Sequence, residues 1–288
     1  MKNLTKILAL ALTLALLAVM GNAVATTVNN NPIYVISREE GSGTRSAFVE
    51  LFGVQTKDAD GKNVDNTIDT AEITNSTAVM MVSVAGDPNA IGYISLGSLN
   101  DTVKAVRIEG VEASVENIKN KSYPISRPFN IVTNSDTSDE AMDFINYILS
   151  EEGQAVVEKG GYIPLDDAPA FQGANPSGKI VVAGSSSVSP IMEKLIEAYG
   201  NLNPSLVIEI QTSDSTTGVN STIEGICNIG MASRELKDSE IEKGCIQTQI
   251  AIDGLAVIVA NENTVETLTK EQVKGVYTGE VTKWSEVQ

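Results

Sequence analysis

The chain has 288 residues, 20 of them basic and 37 acidic, no histidine, and a net charge of −17. So acidic a surface opposes binding to nucleic acid or to anionic membranes. The missing histidine removes the usual general base, Ser-His triads and His-ligated metal sites. The length suits one large domain or two ordinary ones.

Residues 1–25 read as a secretory signal. Lys2 and Lys6 precede the apolar run Ile7–Met20, and Ala23-Val24-Ala25 supplies a small-residue cleavage site. The run is short for a membrane span, and a retained N-terminal anchor is the alternative. Removing the segment takes away two lysines and no acid, which leaves −19. The expected location is therefore outside the cytoplasm, periplasmic or at the cell surface. Cys227 and Cys245 are the only cysteines; in an exported protein they could form a disulfide, or stand as two buried thiols.

Ile33–Ser37 is an apolar, β-branched strand, and Arg45–Phe52 has helical spacing. Between them, Gly41 and Gly43 allow a tight turn and close approach to a ligand, and Ser42 and Thr44 offer hydroxyl donors. The unpaired N–H groups of the following helix carry the positive end of its dipole, and Arg38 adds a planar charged fork. Taken alone, the stretch is equally an anion cradle or a flexible turn beside a surface Arg.

Gln55–Thr74 is polar and reads as a loop, with a turn at Asp60-Gly61. Asn75–Val84 opens a helix whose cap lies within Asn75–Thr77. Ala90–Leu96, Val103–Ile108 and Phe129–Thr133 are strands. Ser138 caps a helix with Asp139 and Glu140 in its first turn, and a second helix, Glu151–Lys159, stops at Gly160-Gly161. Asp166–Gly178, holding two prolines and two glycines, is a linker.

The pattern then restarts. Ile180–Ala183 and Leu206–Gln211 are strands, each followed by a hydroxyl-rich turn and a helix. Ile229–Ala232 and Gln249–Val259 are further strands. Thr269 and Gln272 form a capping box, with Leu268 and Val273 as its staple. Strands alternating with helices predict an α/β fold with largely parallel sheets. The same device appears at Ser42–Thr44, Ser185–Ser187 and Ser213–Thr217, where strand ends meet helix N-termini. Three such turns beside one Arg could surround a tetrahedral oxyanion.

Ser37–Arg45, Ala90–Leu99, Ser126–Thr133, Gly184–Glu193, Gly230–Lys237 and Ala251–Val259 resemble the periplasmic phosphate-binding proteins of the phosphate-specific ABC transport system. The segment order differs from that family, whose counterpart of Ile180–Trp284 comes first, so the chain resembles a circular permutant. The resemblance implies a two-lobed class II periplasmic-binding-protein fold, circularly permuted. One lobe would comprise 32–99 plus 261–288, with the Gly41–Thr44 loop. The other would comprise 103–165 plus 180–260, with the Gly184–Val188 loop. Residues 166–178 would join the family's usual termini, and the hinge would lie near Leu99–Val103 and Ala260–Asn263.

Carried over residue by residue, the resemblance implies phosphate contacts from Arg38, Ser42, Gly43, Thr44, Ser186, Ser187, Val188 through its N–H, Ser213, Ser215 and Thr216. Glu40 would orient Arg38. Ser233 stands where well-known members carry an Asp that accepts the ligand's proton. Asp253, Asp214 or Glu39 could replace that acceptor, Asp253 being preferred because it interrupts an apolar strand, although it reads equally as a turn residue. Arg127 reads as a support for the Pro128 turn, Arg234 as a surface ion-pair residue, and Trp284 and Tyr277 as lobe core. The implied function is a monomeric, non-enzymatic receptor for inorganic phosphate that serves the membrane permease of a phosphate ABC transporter, with no catalytic residue, metal or cofactor. The alternatives are another tetrahedral oxyanion such as sulfate, or a serine hydrolase or phosphatase. The latter lacks G-x-S-x-G, the phosphate-loop pattern and a His base.

Overall fold

The computed structural model describes residues 30–287, so the expected signal segment lies outside the described residues. The first half of the chain runs β1 Tyr34–Arg38, α1 Gly43–Leu51, the hairpin β2 Gln55–Lys57 and β3 Asn63–Asp65, β4 Glu72–Thr74, α2 Thr77–Gly86 and β5 Ala90–Ser95. It continues with β6 Lys104–Ala105, β7 Arg107–Ile108, α3 Val115–Lys119, β8 Ser126–Thr133, α4 Asp139–Ile148 and α5 Glu151–Lys159. The second half runs β9 Gly178–Ser185, α6 Ser189–Leu202, β10 Leu206–Ser213, α7 Ser215–Ile223, β11 Ile229–Ala232 and α8 Asp238–Ile241. It closes with β12 Ile246–Val259, β13 Thr267–Leu268 and α9 Lys270–Thr278.

One continuous sheet, ordered β10-β9-β11-β8-β12-β5-β1-β4 with β6 beside β12, serves two cores. In each lobe three parallel strands are followed by an antiparallel one and then a strand in the original sense. These are β10-β9-β11-β8-β12 in one lobe and β4-β1-β5-β12-β6 in the other. Each half of the chain thus builds most of one lobe and lends a strand to the other.

The lobes divide elsewhere than expected. One core gathers Val35 to Ile125 with Leu255 to Val287; the other gathers Phe129 to Tyr162 with Ile180 to Ala251. Residues 103–125 and 255–260 therefore belong with the Gly41–Thr44 loop, and the crossovers lie near 126–128 and 252–254 instead of 99–103 and 260–263. The cause is the length of β12. Asp253-Gly254 does not interrupt it: the strand pairs with β8 through Gly254 and with β5 from Leu255 onward.

Local signals account for most elements. Ser42, Ser76, Ser114, Ser138 and Ser150 each accept a backbone N–H at a helix start. The capping box of Thr269 with Gln272 forms, and Leu268 and Val273 are buried beside it. Phe48 stacks on Tyr93 with ring centres 3.9 Å apart, and Trp284 and Tyr277 are fully buried in the same core. Burying each such ring contributes roughly 2–3 kcal/mol. The polar stretch after Gln55 is not a plain loop: it holds the β2–β3 hairpin and β4, which pairs in parallel with β1.

The two ends of the described chain meet. Ile33 N–H donates to the Thr282 carbonyl at 2.8 Å, and Trp284 N–H to the Asn31 carbonyl at 3.1 Å. The linker is fastened to the opposite lobe. Phe171 packs edge-on to Tyr147, Ala174 N–H donates to Asp143 Oδ1, and Asn203 donates to the Pro176 carbonyl. No helix among the described residues is long and apolar enough to cross a membrane.

Candidate functional site

Four helix N-termini converge between the lobes. They belong to α1 and α2 in one lobe and to α6 and α7 in the other, at the carboxyl ends of β1, β4, β9 and β10. This is where an open parallel sheet presents its unpaired amides. Thr44 and Ser187 hydroxyls lie 2.7 Å apart, and Thr77 Oγ1 lies 3.1 Å from Ser187 Oγ. Ser186 Oγ takes Arg38 Nη2 at 3.1 Å and the Thr77 N–H at 3.4 Å. Ser233 Oγ accepts from Ser185 at 3.0 Å and lies 3.3 Å from Ser215 Oγ, which in turn takes the Ser233 N–H. Every one of these side chains is buried.

Arg38 ends β1 and is 1 % exposed. Its Nε and Nη2 donate to the two oxygens of Glu39, both at 2.7 Å, and Nη1 reaches Thr77 Oγ1 at 3.4 Å. With Ser186 on the other Nη2 proton, one Nη1 proton is left to give to a ligand. Ser42 caps α1 by accepting the Arg45 N–H, which leaves its own proton to donate, and the first amides of α1, at Gly43 and Thr44, precede any intrahelical partner. Gly43 admits no side chain: a Cβ there would lie 2.4 Å from Ser215 Oγ and 2.7 Å from Ser233 Oγ. The lobes are also clasped directly, since Thr216 donates to the Gly41 carbonyl through both N–H and hydroxyl. A buried cluster of hydroxyls, helix N-termini and one guanidinium suits a compact oxyanion.

Residues 13–152 and 169–288 match the family described as the PBP superfamily domain. The phosphate-binding protein PstS 2 of Streptococcus agalactiae serotype V is 55% identical over 264 residues, 91% of this chain and 90% of that protein. This chain belongs to the PstS family. PstS 2 of Streptococcus pneumoniae serotype 4 is 44% identical over 257 residues, 89% of this chain and 88% of its own. The crystal structure of a phosphate ABC transporter phosphate-binding protein from S. pneumoniae TIGR4 matches with a TM-score of 0.70 at 44% identity. That match covers 90% of this chain and 100% of the other.

Within this PstS fold several expected roles fall to other residues. Glu40 is exposed on a groove of about 820 Å³ beside α1, and Glu39 holds Arg38 instead. Because β1 ends at Arg38, strand alternation stops there and the next side chain folds back onto the guanidinium. The Val188 N–H is spent on the Ser185 carbonyl at 3.0 Å, closing the turn before α6. Ser213 offers its carbonyl to Ser186 N–H, while its hydroxyl lies 3.5 Å from the Asp214 carbonyl. Thr216 is a lobe clasp, and its hydroxyl also accepts from Arg234.

Asp253 is not a ligand acceptor in this arrangement. It is 1 % exposed, takes Ser95 Oγ at 2.8 Å on Oδ1, and pairs with Arg127 at 3.2 Å on Oδ2. Burial pushes its carboxyl up to about 6 against the pull of Arg127. Arg127 in turn donates to the Ser233 carbonyl, so it supports the ring from behind instead of bracing the Pro128 turn. Asp214 commits both oxygens to Thr217, capping α7. Arg234 is no surface residue: it is buried against Glu240 in a two-pronged pair. Cys227 and Cys245 are buried free thiols, so no disulfide forms, and burial pushes both thiols upward.

Sequence reasoning missed Thr77 as a lining residue and Glu39 as the partner of Arg38. The first had a signal, a Ser-Thr pair opening a helix, but β4 before it was hidden in a polar stretch, so the strand-turn-helix unit did not show.

Proposed function

We propose that this protein is an extracytoplasmic receptor that captures inorganic phosphate between its lobes and delivers it to the membrane permease of a phosphate ABC transporter. The observation that carries the reading is the buried ring of Thr44, Thr77, Ser186, Ser187, Ser215 and Ser233 hydroxyls beside the Arg38 guanidinium. A Ser-His hydrolase does not fit, because the sequence has no His to activate a hydroxyl. The relatives named PstS 2 and the matching phosphate-binding structure support the same ligand. Lobe closure would desolvate the anion and strengthen each charge-assisted bond. The exported location follows from the basic-then-apolar start of the chain, and the receptor acts as a monomer.

A second ligand, sulfate, is favoured by one observation. The carboxylates of Glu39, Asp214 and Asp253 all have their oxygens on protein donors, so among the described residues these three are committed to the protein before any proton of a ligand.

We also infer that the chain order is a circular permutation of the family's usual one. Both lobes share one strand order, and the two ends of the described chain are hydrogen-bonded to each other. The two PstS 2 relatives match over about nine-tenths of the chain, whereas PstS of Bacillus subtilis matches over 145 residues, 50% of it.

Titrating the purified protein with phosphate, by heat or Trp284 fluorescence, tests the receptor reading, with sulfate competition and a chromogenic ester alongside. Saturable phosphate binding without ester turnover is expected; ester turnover, or no binding of either anion, would sink it.

A further inference from the structure

β1 and β5 begin as parallel neighbours, pairing Tyr34 with Ala90 and Val35 with Ile91, and there the ladder stops. Three residues of β1 remain before it ends at Arg38. Buried backbone groups on a strand that leaves its neighbour need other partners. Two phenols supply them. Tyr277, reaching in from α9, donates to the Ile36 carbonyl at 3.1 Å and lies 3.5 Å from the Ile91 carbonyl. Tyr93, on β5 itself, accepts the Arg38 N–H at 3.2 Å and shares a 2.9 Å hydrogen bond with Ser37 Oγ.

Both rings are fully buried and both touch Phe48 of α1, Tyr93 in a parallel stack and Tyr277 tilted at 4.5 Å. Burial pushes the Tyr93 phenol up to about 12 and the Tyr277 phenol well above its ordinary value, so both keep their protons across the physiological range. The two hydroxyls fill the opening between β1 and β5. One side of that opening carries Arg38; the other leads through Phe48 to α1, whose first residues face the ring.

The geometry points to Tyr93 and Tyr277 as positioning residues for anion binding: they hold the end of β1 away from β5 and so set the direction in which Arg38 leaves the strand. The inference rests on the reading of the ring as a phosphate site. Neither phenol touches the ring hydroxyls; Tyr93 acts through the Arg38 backbone and Tyr277 through Ile36, two residues earlier.

The test uses the whole purified protein with Tyr93→Phe, Tyr277→Phe, Arg38→Lys and Tyr93→Phe in the Arg38→Lys background. Phosphate affinity is measured by calorimetry, and hydrogen exchange at the Arg38 amide is measured without anion. Tyr93→Phe is expected to weaken phosphate binding about tenfold and to speed Arg38 amide exchange by a similar factor; Tyr277→Phe should do less, about threefold. In the Arg38→Lys background the Tyr93 change should cost under about twofold, because a phenol that acts by aiming a guanidinium has nothing left to aim. A merely structural role would lower affinity equally in both backgrounds, and that result would overturn the inference. So would unchanged affinity in Tyr93→Phe. Should the native protein bind no phosphate, the receptor reading fails, and the amide exchange still decides whether Tyr93 holds Arg38.

Discussion

Arg127 and Asp253 face each other across β8 and β12 in register, at the point where both strands pass from one lobe's core to the other's. Asp253 reaches into the first lobe to Ser95, and Arg127 reaches into the second to the Ser233 carbonyl. The pair therefore connects the hinge to the ring. A buried ion pair can cost more in desolvation than its attraction returns, and burial raises the Asp253 carboxyl in spite of Arg127.

The sign of the pH effect follows. Between the ordinary carboxylate value and about 6, the folded chain holds a proton on Asp253 that the unfolded chain does not, so this group's stability contribution is lost as pH rises through about 6. Melting curves of the native protein and Asp253→Asn should show native stability falling relative to the variant between about pH 4 and pH 6 and levelling off above that. A flat or rising difference would mean that the carboxyl is not shifted upward.

Arg38→Ala should weaken phosphate binding by roughly 2–5 kcal/mol, as when one partner of a buried charge-assisted set is lost. Glu39→Gln should weaken it by about 1–2 kcal/mol through loss of the two-pronged brace, while exposed Glu40→Gln changes nothing measurable. Calorimetry on the three variants separates the two acidic neighbours. The opposite ranking of Glu39 and Glu40 would refute the brace.

Gly43→Ala places a methyl where Ser215 and Ser233 hydroxyls already stand, so the lobes cannot approach as closely. Phosphate affinity should fall by at least about tenfold, with the melting temperature nearly unchanged, because the clash exists only between lobes. X-ray scattering with phosphate should show the variant more extended than the native protein. Equal radii of gyration and equal affinity would count against a closed site at Gly43.

Phe48→Ala should cost roughly 3–5 kcal/mol of stability, since the ring fills the space between Tyr93, Tyr277 and Phe52. Chemical denaturation measures it; a loss under about 1 kcal/mol would mean that the cluster is loosely packed.

The parts legible in the sequence were those whose cause is local. Caps at Ser138 and Thr269 are written in three or four residues, and the hydroxyl turns at Ser185–Ser187 and Ser215 stand directly after β-branched runs. The pairing of Glu39 with Arg38 depended on where β1 ends, and one residue decided it. The crossover positions depended on β12 running on past Asp253, whose charge looked like a strand break until Arg127 stood opposite. Arg234 looked like a surface residue because its partner Glu240 sits in a four-residue helix that the sequence hides. In each case the missing information was where an element ends or which side chain stands opposite, which a local pattern does not carry.

The pairing of residues 31–33 with 282–284 places both ends of the described chain on one lobe, while the linker near Gly173 is fastened to the other. A dye near either end and a second on the linker would form a molecular ruler spanning the cleft. Two dyes near the two ends would serve as its control, since they ride on the same rigid body. The order in which this chain is threaded thus puts convenient attachment points on both sides of the motion.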